Sequence, residues 1–69
     1  MNPKRPYHNA EQEKAWLAVE VTLEAYTAAA YAARQADKRG DDAAYPGLLQ
    51  AALRAEREFD GAWKHYHRI

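Results

Sequence analysis

From Ala10 to Arg39 the chain contains neither glycine nor proline, and nothing else in it restricts the possible folds as much. The stretch is built mainly from Ala, Glu, Leu, Gln, Lys and Arg, all strong helix formers. Asn9 is a good N-cap, and Gln12, three residues on, stands where the far half of a capping box belongs. Glu11 and Glu13 occupy the first turn and Lys38 and Arg39 the last, each matched to the helix dipole, and Gly40 is a natural C′ residue. These signals predict helix 1 over 9–39.

Asp41 and Asp42 then offer caps for a second helix. Pro46 fits either as the first helical residue or inside a first turn begun near Asp42. The second option is preferred, giving a turn over 40–42 and helix 2 over 43–67. Gly47 and Gly61 weaken this helix by about 1 kcal/mol each relative to Ala. Residues 1–8 hold Pro3, Pro6, Lys4 and Arg5 and read as an extended, mobile basic arm. The whole chain, 1–69, is expected to be one helical-hairpin domain.

The apolar residues supply the pairing. In helix 1 Trp16, Val19, Leu23, Tyr26, Ala30 and Ala33 recur at alternating steps of three and four. In helix 2 Tyr45, Leu48, Ala52, Ala55, Phe59, Ala62, Tyr66 and Ile69 do the same. Two such stripes joined by a short turn meet antiparallel. The fold class expected is therefore all-α, an antiparallel two-helix hairpin with a coiled-coil-like seam. The turn sets the register: Trp16 against Tyr66, Val19 against Trp63, Leu23 against Phe59, Ala30 against Ala52 and Ala33 against Leu49. Bulky residues gather at the open end and alanines near the loop, so the helices should approach most closely near the loop.

Helix 1 carries a second apolar set off that seam. Leu17, Val21, Ala25, Ala28, Tyr31 and Ala32 would stay wet in a lone hairpin, and contiguous apolar surface on a small protein marks an interface. A chain of this length is marginal alone, and with no cysteine it has no disulfide to brace it. Dimerisation into a four-helix bundle resolves both problems, because two-fold dimers are the commonest assembly. A different protein covering the same face is the rival partner.

Composition excludes more than it suggests. Ten Lys and Arg balance ten Asp and Glu, so no global field draws the chain to nucleic acid or membrane. The least charged run, Ala25 to Ala33, is too short and too weakly apolar to span a bilayer. The N-terminus lacks the apolar core of a signal peptide, and the absence of Cys fits a reducing, cytoplasmic setting.

No chemistry-bearing motif stands out. His65 and His67 are two apart and point to different sides of a helix, whereas a metal pair needs a spacing of three or four. Glu20 and Glu24, like Glu56 and Asp60, read as solvated charges, with Asp60 placed to pair with Lys64. Serine is absent, and neither Thr22 nor Thr27 has a nearby His to activate it. No enzyme, metal site or cofactor is expected.

The one charge asymmetry lies at the open end. Residues 1–16 and 61–69 hold five bases against two acids, and the rest hold five bases against eight acids. Lys4, Arg5, Lys14, Lys64, His65 and Arg68, interleaved with Tyr7 and Tyr66, form a candidate contact for nucleic acid or phosphate. A net of +3 is small for such a module. The leading expectation is therefore a non-enzymatic protein–protein interaction module, such as a small regulator, adaptor or inhibitor, with nucleic-acid binding as the alternative.

Overall fold

The computed structural model describes residues 10–69, and there the chain is two helices, α1 over Ala10–Arg39 and α2 over Tyr45–Arg68. The predicted arm over 1–8, the Asn9 cap, and the contact residues Lys4 and Arg5 lie outside the described residues.

The turn between the helices is built by Gly40 and Asp41. Gly40 adopts φ +71°, the left-handed conformation that glycine takes without steric penalty. Its N–H donates to the Asp37 carbonyl (3.1 Å), and the Asp41 N–H donates to the Ala36 carbonyl (2.9 Å). This bond pair is a Schellman motif, and it satisfies two carbonyls that the end of α1 would otherwise leave open. Asp41 then opens the next helix. Its side-chain Oδ1 accepts from the Ala44 N–H (3.2 Å), and its carbonyl accepts from the Tyr45 N–H (3.1 Å). A hydrogen-bonded turn over 42–44 thus leads into α2, which starts at Tyr45 rather than 43 and ends at Arg68 rather than 67. The delay has a simple cause: Pro46 lacks the N–H that would extend a regular ladder back to Asp42.

The two helices pack antiparallel along most of their length. The register matches the expected one at Trp16 and Tyr66 and departs from it at Phe59, which meets Tyr26 instead of Leu23. Trp16 and Tyr66 rings lie 5.2 Å apart, Tyr26 stacks on Phe59 at 6.2 Å, and the Gln12 amide donates to the Ile69 carbonyl at 3.0 Å. Near the loop Ala33, Ala36 and Ala52 are buried, and aromatic residues fill the open end around buried Ala15 and Val19.

Two residues depart from the expected seam. Leu23 is not held between the helices but is 44% exposed. Thr22 is half-buried beside it, and Tyr26 rather than Leu23 meets Phe59. Thr22 tolerates that position because its hydroxyl donates within its own helix, to the carbonyls of Ala18 (2.7 Å) and Val19 (3.1 Å). Trp63 likewise lies at the flank while Ala62 sits half-buried on the stripe. Its indole touches the rings of Trp16, Phe59, Tyr66 and His67.

Gly61 offers a direct test of helix energetics. A Cβ added there meets nothing within 4 Å. Gly61→Ala should stabilise the hairpin by about 0.5–1 kcal/mol. A urea midpoint that fails to rise at constant m-value would show that the Gly61 backbone departs from ordinary helix.

Candidate interaction surface

Among the described residues those buried are Ala15, Val19, Ala33, Ala36 and Ala52, none larger than valine. A hairpin is one layer of secondary structure, and its shortest principal extent is 12 Å. Stable domains bury apolar faces between at least two layers. Several larger apolar side chains are therefore left exposed, among them Leu17, Val21, Leu23, Tyr31, Leu49 and Leu53, and their positions define the candidate site.

The first surface is the face of α1 turned away from α2. Leu17 is 50% exposed, Val21 64% and Tyr31 60%, and Ala25 and Ala28 are exposed as well. Ala32 is only half-buried and belongs to the edge of this face. The structure adds Leu23. Val21, Leu23, Ala28 and Tyr31 line one shallow depression together with Glu20, Glu24 and Thr27. The spacing of three and four placed Leu23 in the seam, four residues after Val19 and three before Tyr26. The signal that could have corrected this is the back-bonding available to Thr22 in mid-helix.

The second surface is a groove of about 300 Å³ where the helices meet near the loop. Ala30, Ala33 and Ala52 line it with Tyr26 and Tyr45, and Leu49 and Leu53 contribute part-exposed apolar area. Arg34, Asp37 and Glu56 supply its charged groups. Its origin is the alanine content of the seam, since small side chains leave space beside the contact line. Sequence reading did not single out Leu53. Leu49 and Leu53 stand one position past Leu48 and Ala52, and that i, i+4 pair was the available clue.

The basic open end is less coherent than its sequence suggested. Lys64 is tied to Asp60 at 3.1 Å, one turn back on α2. The remaining described bases there, Lys14 and Arg68, are matched in number by Glu11 and Glu13. His65 is exposed, and His67 sets its ring edge-on against Trp63 at 4.5 Å. Among the described residues, no three of His, Cys, Asp and Glu converge as a metal site. No helix among them is long and apolar enough to cross a membrane. Comparison with protein-family models, with curated proteins and with solved structures returns no match.

Proposed function

We propose that this chain is a non-enzymatic protein–protein interaction module whose outer α1 face is a contact surface, and that its first partner is a second copy of itself. In this role it acts as a small regulator, adaptor or inhibitor does, by presenting a helical face. One observation carries the reading: a single-layer hairpin, with no large side chain fully buried among the described residues, displays Leu17, Val21 and Tyr31 on the face of α1 turned away from α2, with part-exposed Leu23 at its flank. Covering that face would give the fold the second layer that small domains need. The outer positions of α2 offer no comparable patch, because Arg54, Arg57, Glu58 and Lys64 are exposed along it.

Pairing two hairpins through this face gives a four-helix assembly. Tyr31 is its central anchor, since a part-exposed tyrosine is well suited to become a contact hot spot. Tyr31→Glu should leave the hairpin helical and weaken self-association by roughly 30-fold, the effect of losing a hot-spot aromatic worth about 2 kcal/mol. Sedimentation equilibrium checks this. A variant that keeps the wild-type mass at every concentration would move the contact away from the outer face of α1.

A further inference from the structure

The exposed side of α1 carries a charge pattern that reads the same from either end once the sign is inverted. Glu20, Glu24, Thr27, Tyr31, Arg34 and Lys38 follow one another at steps of four and three, so they form one stripe along the helix. All six are exposed. The stripe runs acid, acid, Thr, Tyr, base, base, and its midpoint lies level with Ala29. Reversed and laid beside itself, it sets Glu20 against Lys38, Glu24 against Arg34 and Thr27 against Tyr31. More broadly, Ala10–Glu24 has one Lys against four Glu, while Arg34–Arg39 has three bases against Asp37. Between them Ala25 to Ala33 has no charge at all.

The helix dipole accounts for part of this. It favours Glu11 and Glu13 at the start of α1 and Lys38 and Arg39 at its end. Its effect fades within the first and last turns, so it does not reach Glu20, Glu24 or Arg34. Neither do intramolecular ion pairs. Among the described residues Glu20, Glu24, Arg34 and Lys38 form no salt bridge, whereas Arg39 is engaged by Asp41 at 3.6 Å.

We infer that two copies of this chain associate antiparallel along α1, about a two-fold axis level with Ala29. Each acidic half then lies against the basic half of the other copy, and the uncharged centres pack together. This rests on the self-association proposed above and adds its orientation. A two-fold contact is self-complementary by construction, so every ion pair occurs twice. A parallel pair would set acid on acid and base on base, and like charges across an interface are strongly disfavoured.

Charge reversal tests the orientation. Glu20→Arg with Glu24→Arg should weaken association by roughly tenfold or more, because four attractions become four repulsions. Arg34→Glu with Lys38→Glu should do the same. The chain carrying all four changes should recover close to wild-type affinity, with helicity checked by circular dichroism throughout. Unchanged affinity in the half-reversed chains, or no recovery in the fourfold variant, would overturn the antiparallel assignment. The chain has no cysteine, so single thiols give an independent reading. Ala28→Cys, beside the axis, should crosslink through a short bis-maleimide. Leu17→Cys should not, because antiparallel pairing holds the two thiols about 36 Å apart. Efficient crosslinking at Leu17→Cys would mean a parallel pair and overturn this inference alone. A wild-type chain that is a folded monomer at all concentrations would overturn the self-association itself, leaving the face to a different protein.

Discussion

Val19→Asp is expected to unfold the hairpin. Val19 is 3% exposed and is the largest of the buried residues. No buried polar side chain lies among the described residues, so a carboxylate there would have no buried cation to pair with. Burying an unpaired charge costs several kcal/mol, and a domain this small has little more than that in total. The expected readout is loss of most of the helical circular dichroism signal at neutral pH. Val21→Asp is the matched control. Only two positions away but 64% exposed, it should change the stability of the dilute hairpin by no more than about 0.5 kcal/mol. Equal losses in the two variants would mean that Val19 does not face α2.

The second large effect belongs to Trp63. Its indole lies 6.1 Å from the Trp16 ring, 6.4 Å from Phe59, 6.1 Å from Tyr66 and 4.5 Å from His67. It therefore joins the aromatic residues of α2 to the one tryptophan of α1. Truncating a fully buried tryptophan costs about 3–5 kcal/mol, and because Trp63 is 38% exposed the loss for Trp63→Ala should be about 2–3 kcal/mol. Thermal unfolding followed at the helical band measures it. A loss below about 0.5 kcal/mol, the range of ordinary surface substitutions, would show that the ring contacts are incidental to the pairing. Phe59→Ala carries a smaller expectation than full burial implies. Phe59 is only half-buried, so about 2 kcal/mol replaces the larger value a sealed core would give.

Both predictions concern the open end, where aromatic rings from the two helices meet. Near the loop the seam is lined by buried Ala33, Ala36 and Ala52, and the groove lies beside them. The same seam thus has an alanine end, an aromatic end and the part-exposed Leu49 and Leu53 beside it. The proposed contact face is a separate matter, since Leu17, Val21 and Tyr31 take no part in holding α1 to α2.

Two helices, their antiparallel pairing and the contact of Trp16 with Tyr66 at the open end were legible in the sequence, because each follows from local or repetitive chemistry. Helix length follows from the run of helix formers closed by Gly40, and the pairing follows from a short turn joining two stripes of alternating three and four. The exposed positions of Leu17, Val21, Ala25, Ala28 and Tyr31 were legible for the same reason. Packing decided that Thr22 rather than Leu23 lies toward the seam on α1, and that Trp63, next to the stripe residue Ala62 on α2, stays part-exposed. Consecutive residues stand about 100° apart on a helix and so flank the contact line on either side. A helix drifts by about 20° per heptad against a strict seven-residue repeat, and a rotation of that size, fixed only by packing, decides which of the two turns inward. At Thr22 a hydroxyl already bonded to its own helix removed the usual penalty for burying a polar group, and the leucine beside it turned outward to join the surface that we assign to a second copy of the chain.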